Sequence, residues 1–506
     1  MASEYQSLIK AFRAGQKPDF PAHSKSVEYA RQLDAEDTIS SLRDDFIIPT
    51  KGSIKKKALD GKLLGEPLAN GNCNGTGDEP TIYFVGNSLG AQPKCIRKHL
   101  EALLETWGAI GVNGHFSSLG NSPLTAWQDM AADCAQKSVD IVGAASVSEV
   151  IYMNTLTANL HLLMASFYRP TATRHKIIAE WKPFPSDSYA LASQIQWHGF
   201  SPATSLVPIH PDQPSASNPD GNMYISTSHI LAVIDEHAES TALLLLPGIQ
   251  YYTGQLFDMA RITAHARARG IVVGWDLAHA AGNVELALHD WDVDFAVWCT
   301  YKYMNAGPGS IAGAFVHQRH HHHHHHHGNG DAAAGEGFRH RLAGWYGADK
   351  AVRFEMAGWE GFRPAEGAHG YQLSNPSAVD LASLTGALSM FGRTDMAGLR
   401  DKSLVLTGWL EWLLRGLLEE GVGKGEGGED AFGIITPGHP LERGAQLSLL
   451  LRPGLLGAVS AALAERGVMF DVRKPDVIRV APVPMYCRFE DVWGFVAAFR
   501  GVLEKA

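Results

Sequence analysis
The 506-residue chain is short of several features that mark whole protein classes. It holds only five cysteines, at positions 73, 95, 134, 299 and 487, odd in number and without CxxC spacing. That pattern excludes a disulfide framework or a zinc ribbon and fits thiols kept reduced in a cytoplasmic protein. No apolar run approaches the roughly 20 residues a membrane-spanning helix needs. The N-terminus, MASEYQSLIKAFRAG, is amphipathic with an early acid, which argues against a secretory signal or a transit peptide. Positive charge is in deficit, with 43 Lys and Arg against 53 Asp and Glu and a net charge of -10. Nucleic acid and polybasic membrane contact are therefore not expected. With 45% hydrophobic and 19% charged residues, the composition is that of a globular protein long enough for two to three domains.

What is present is concentrated between Gly274 and Gly309. Residues 271–276 (IVVGWD) form a short, mostly β-branched apolar run, which predicts a buried parallel strand ending at Asp276. An acid at that place either caps the next helix or faces a ligand carrying positive charge. His279 follows three residues later. Residues 295–300 predict a second strand, which delivers Tyr301 and Lys302 into the Gly/Pro-rich turn 305–309. Pyridoxal phosphate needs a lysine for its Schiff base and a carboxylate that keeps its pyridine nitrogen protonated. Alone, Lys302 reads as a surface lysine and Asp276 as a helix cap; together they favour the cofactor.

Asp276-Leu-Ala-His279, HDWDVDFA at 289–296, Tyr301-Lys302-Tyr303 and Asn305-Ala-Gly closely resemble the kynureninase family. These are pyridoxal-phosphate enzymes of fold type I, related to class V aminotransferases. The resemblance runs from about Tyr83 to the C-terminus. It implies an α/β fold with a mostly parallel central sheet wrapped by helices, and a smaller α+β domain built from the C-terminal part and the N-terminal segment. The expected division is an N-terminal helical segment with a loop at 1–80, a large cofactor domain at 81–380 and a small domain at 381–506.

Further motifs extend the likeness, each with a plainer reading beside it. Ser88, in a Gly-bounded turn after the strand-like 81–85, matches a substrate-site loop, and otherwise simply makes the turn. His115 matches a residue beside the substrate's aromatic ring; alone it reads as a structural histidine. Leu156 and Thr157 begin a helix after a strand at 149–152, where unpaired N–H groups suit a phosphate. Capping of that helix by Thr155 is compatible with the same role. Phe184, Pro185, Ser186 and Asp187 follow a strand at 176–180 and match a motif that lays an aromatic face and polar groups around the pyridine ring; as bare sequence they form a turn. Trp345 and Asn375 match residues that reach the cofactor phosphate, Asn375 also the substrate, across a homodimer interface. Arg479, in the β-rich run IRVAP, matches the arginine that grips the substrate carboxylate, a task its bidentate fork suits. A salt bridge is the alternative.

Elsewhere, residues 1–65 read as helical, with Ser24 and Asp34 as caps. The stretches 65–80 and 199–222 read as loops, and 320–327, an unbroken histidine run, as a low-complexity expansion in an exposed loop. Pro247 stands where some relatives carry a phosphate-binding serine, so that contact is left unassigned. No metal site is expected.

The implied reaction is hydrolysis of L-kynurenine or 3-hydroxy-L-kynurenine to the corresponding anthranilate and alanine, a step of tryptophan catabolism and de novo NAD biosynthesis. Lys302, Tyr301 and Asp276 would be catalytic. Asp276, His279, Tyr301, Lys302, Leu156, Thr157, Trp345, Asn375 and the 184–187 motif would bind cofactor, and Ser88, His115, Asn375 and Arg479 substrate. A class V aminotransferase or cysteine desulfurase would share Asp276, His279 and Lys302, but a desulfurase needs a nucleophilic cysteine on a loop, and Cys487 sits in a compact segment. A non-catalytic metal-binding protein would rest on the histidine run alone.

Overall fold
The structure is a computed structural model that describes residues 3–55, 79–212, 223–321, 340–355, 358 and 362–505. Most of the 65–80 stretch, and the histidine run beyond His321, lie outside the described residues. The chain forms two compact units. One comprises Met1–Lys94, Tyr252–Gly254 and Ala397–Ala506, the other Cys95–Tyr251 and Gln255–Met396.

The larger unit is built on a seven-stranded sheet in the order Val150–Met153, Ala312–Val316, Phe295–Trp298, Val272–Asp276, Thr241–Pro247, Lys176–Glu180, Leu206–Ile209. Only Ala312–Val316 runs antiparallel to its neighbours. The other six strands point one way and end on one edge. Their continuous apolar runs follow from burial on both faces, complete in Val150–Met153 and Phe295–Trp298. Gly313 faces Trp298 across the ladder, and a Cβ there would lie 2.3 Å from the indole, so only glycine fits.

The strand Leu206–Ile209 replaces the connector expected at 199–222. Pro208 hides it, because proline is confined to sheet edges, and this strand is an edge. The boundary expected at 380 falls instead after Met396, since the helix Ala378–Phe391 packs on the helices Cys95–Ile110 and Met130–Val142 of this unit.

The smaller unit carries a four-stranded antiparallel sheet, Phe432–Ile434, Leu447–Leu451, Val477–Val480, Asp471–Arg473. The boundary expected at 80 falls after Lys94, because Ile82–Tyr83 pairs with Val468–Met469 and Asn87 donates to Gln446 at 2.8 Å. The N-terminal segment holds the helices Glu4–Arg13 and Val27–Glu36, capped by Ser3 and Ser26 rather than by Ser24. Asp34 does cap a helix, but a distant one: its carboxylate accepts the N–H groups of Phe489 and Glu490, at the start of Phe489–Leu503, at 2.8 and 3.0 Å. Among the described residues no helix is long and apolar enough to cross a membrane.

Candidate active site
Five strands of the larger unit end at one cavity of about 580 Å³, mouth included, Thr241–Pro247 through Pro247 itself. The strand Val150–Met153 leads through Asn154, held at φ 43°, into the helix Leu156–Phe167. Leu156 and Thr157 at its first turn line the cavity, where the unpaired N–H groups of a helix start attract anions. Thr155 makes no capping hydrogen bond with its side chain. Lys176–Glu180 leads to Phe184, and Pro185 opens the helix Pro185–Trp197, so the 184–187 motif is a helix start rather than a plain turn. Phe184, Ser186 and Asp187 line the cavity, and Ser186 shares a 2.7 Å hydroxyl hydrogen bond with Thr157. Val272–Asp276 supplies Asp276 and His279, and Phe295–Trp298 supplies Tyr301 and Lys302. The turn after Lys302 needs left-handed backbone at Asn305 (φ 60°), Gly307 (φ 97°) and Gly309 (φ 69°), which accounts for its composition.

Within the cavity the Lys302 ammonium lies 3.1 Å from His279 Nε2 and 5.8 Å from the centre of the Phe184 ring. Asp187 is 5% exposed, and its Oδ1 makes no hydrogen bond. Burial, then the neighbouring Asp276 charge, holds its carboxyl well above the usual carboxylate range. Two buried acids side by side resist joint ionisation unless a cation sits with them, and a protonated pyridine nitrogen is such a cation. Burial, with Cys299 and Asp276 adding to it, raises the Tyr301 phenol, which therefore keeps its proton as a donor. A helix start for a phosphate, an aromatic face, paired acids and a lysine together fit pyridoxal phosphate.

Besides Pro247, four lining residues carry no role from sequence: Glu180, Ile249, Tyr251 and Ala278. Glu180, at a strand's carboxyl end like Asp276, could have been found by the same positional argument. Pro247 also lines the cavity, but its ring offers no hydroxyl. The remaining expected residues do not line it. His115 packs edge-on against Trp127 at 5.0 Å, Trp345 is 43% exposed, and Asn375 is exposed. Ser88 and Arg479 belong to the smaller unit, where Arg479 is fully buried and ion-paired with Asp471 at 2.7 Å.

Matches to known proteins agree with this geometry. Residues 215–350 match the model of class-V aminotransferases, and 399–499 that of the kynureninase C-terminal domain. A "Kynureninase 2" of Chaetomium globosum is 66% identical, covering 100% of both chains, and a "Kynureninase 1" of Neurospora crassa 62%, covering 99% of both. The chain belongs to the kynureninase family. Among solved structures, a cysteine desulfurase of Escherichia coli superposes with a TM-score of 0.62 at 14% identity, covering 84% of this chain and 95% of its own. The cystine C–S lyase C-DES does so with 0.61 at 18%, covering 83% and 97%. At those identities the likeness speaks for the shared fold.

Two rival chemistries find no support among the described residues of this family member. The Cys487 thiol is 1% exposed, donates to the Tyr83 carbonyl at 3.4 Å and is pushed up to about 12 by burial, so it is no desulfurase nucleophile. Of the histidine run, His320 and His321 are buried rather than exposed, correcting the expectation for its start: His320 pairs with Asp294 at 2.8 Å and His321 with the Val316 carbonyl at 2.8 Å. Glu149, His289 and His317 bring ligating atoms within 4.8 Å of one another. Yet the two imidazoles are stacked at 4.7 Å with an 18° angle between planes, so their in-plane lone pairs run side by side instead of converging on an ion. Glu149 is meanwhile held by the N–H groups of Ala145 and Gln318.

Proposed function
We propose that this kynureninase-family chain hydrolyses L-kynurenine, or its 3-hydroxy derivative, to the corresponding anthranilate and L-alanine, with Lys302 as the cofactor-binding and proton-moving residue. The observation that carries the reading is the convergence of Lys302, His279, Phe184 and the Asp187–Asp276 pair on one cavity, in a chain 66% identical over its whole length to a protein named kynureninase. Pyridoxal phosphate, when bound, supplies an electron sink for charge developing at the substrate's α-carbon. Lys302 would hold the cofactor through its Nζ, and the same nitrogen, when free, would take the substrate's α-proton. Asp276, with Asp187, holds the proton on the ring nitrogen. Leu156 and Thr157 at the helix start would hold the phosphate and Phe184 would offer an aromatic face to the ring, with His279 beside Lys302. Water adds to the γ-carbonyl; as the carbon–carbon bond parts, the aryl part leaves as the anthranilate carboxylate and Tyr301, its phenol protonated, is the donor for the proton that the β-carbon gains. Arg479 grips the substrate carboxylate with Ser88 beside it, while His115 and Asn375 orient the aryl ketone.

The same proposal includes a cytoplasmic homodimer in which Trp345 and Asn375 reach the phosphate of the neighbouring subunit. Supporting this is an exposed aromatic cluster: Phe116 (62% exposed) and Trp345 meet Phe354 (41% exposed) at 5.3 and 5.8 Å. Purified enzyme given L-kynurenine and 3-hydroxy-L-kynurenine should release anthranilate or 3-hydroxyanthranilate with stoichiometric alanine, and Lys302→Ala should release neither. Cleavage of neither substrate by cofactor-loaded enzyme would refute the assignment. The rate ratio identifies the preferred substrate.

A further inference from the structure
We infer that Asp471 is a positioning residue for substrate recognition, joining Ser88 and Arg479 into a single anchor through one carboxylate. The inference rests on the assignment of Arg479 to the substrate's α-carboxylate.

Asp471 and Arg479 are directly opposed across the ladder between Asp471–Arg473 and Val477–Val480, so their side chains rise from the same face of the sheet. The Arg479 side chain is wholly buried, and a buried guanidinium requires an anion. Asp471 Oδ2 supplies it at 2.7 Å. The same oxygen accepts the Ser88 hydroxyl at 2.5 Å, and Arg473 holds the other oxygen at 2.8 Å. Oδ1 has only that ion-pair contact and no hydrogen bond, so the carboxylate is held chiefly at Oδ2, the oxygen that meets the Arg479 fork and sets its direction.

Two consequences follow for recognition. Ser88 Oγ and Arg479 Nη2 both touch one oxygen, so they are at most about 5 Å apart by hydrogen-bond geometry. Ser88 therefore belongs at the carboxylate end of the substrate rather than at its aryl ring. In addition, Ser88 spends its only proton on Asp471, which leaves its oxygen to accept from a substrate N–H. Asp471 thus sets both the direction of the arginine and the polarity of the serine.

The test is steady-state kinetics of cofactor-loaded Asp471→Asn, Asp471→Glu and Arg479→Gln variants. The probes are L-kynurenine as substrate and, as inhibitor, the same amino ketone lacking its carboxylate. Removing the Asp471 charge should raise KM for L-kynurenine tenfold or more while kcat changes less than threefold. Inhibition by the decarboxylated analogue should stay within twofold of wild type. Asp471→Glu, which keeps the charge, should recover part of the loss and covers the case in which Asp471→Asn does not fold. An unchanged KM in Asp471→Asn, or equal losses for substrate and analogue, would overturn the proposal. If Arg479→Gln also leaves KM unchanged, the failure lies in the assignment of Arg479 itself.

Discussion

Glu180 offers a quantitative test of the cavity's electrostatics. It ends the strand Lys176–Glu180, is 2% exposed, and accepts the Lys182 N–H at 2.7 Å and the Gln250 amide at 3.2 Å. Burial outweighs those contacts and pushes its carboxyl from 4.5 up to about 7. The neutral form is thus favoured in the folded protein. Below pH 4.5 both folded and unfolded chains carry the proton and nothing is lost. Between 4.5 and about 7 the unfolded chain gives it up while the folded chain keeps it, so stability falls as pH rises, and above about 7 the penalty is complete. At about 1.4 kcal/mol per pH unit the full effect is about 3 kcal/mol. Glu180→Gln keeps the shape and the acceptor for Lys182 but cannot ionise. Urea unfolding of both proteins from pH 5 to 8, at matched cofactor occupancy, should show the variant gaining on wild type by most of that amount as pH rises. His317, pushed down to about 4 chiefly by burial, gives the opposite slope, but it is common to both proteins and cancels in the difference. Parallel curves for the two proteins would refute the argument.

Other outcomes follow from single contacts. Lys402 and Asp37 form an ion pair at 2.7 Å with side chains 2% and 1% exposed. Lys402→Met should cost about 3–5 kcal/mol in urea unfolding, and adding Asp37→Leu should recover much of it. Gly313→Ala sets a methyl against the Trp298 indole and should cost about 1–3 kcal/mol, read from the shift in the denaturation midpoint. Burial would raise the Asp294 carboxyl, but the His320 hydrogen bond and the Arg319 charge outweigh it and hold it below its usual range. Its stabilisation is therefore present above pH 3.8 and lost on acidification, and Asp294→Asn should flatten the acid limb of a stability–pH curve. Tyr301→Phe should keep cofactor absorbance while lowering kcat about 10²-fold or more, if the phenol transfers a proton.

Much of this was legible along the chain. Strands buried on both faces announce themselves as unbroken apolar runs, so 176–180, 241–246, 271–276 and 295–300 could be read as strands, and the 184–187 motif, Asp276 and Lys302 lie at or just beyond the ends of three of them. The short edge strand 206–209 could not, because its proline and weak pairing leave no periodic signal. Nor could Asp34, whose carboxylate caps a helix more than 450 residues away, or the two histidines at the head of a run that otherwise looks like simple repetition.

Along the chain, Asp276 and Lys302 at the ends of successive strand-like runs pointed to the cofactor, and the resemblance carried by their flanking motifs implied the reaction. Only the tertiary structure decided which carboxylates share a site. Asp187 meets Asp276, Glu180 joins the same cavity, and Asp471 binds Ser88 and Arg479 together, through strand order and cross-strand register. Charge interactions depend on distance and burial, and neither is set by separation along the chain.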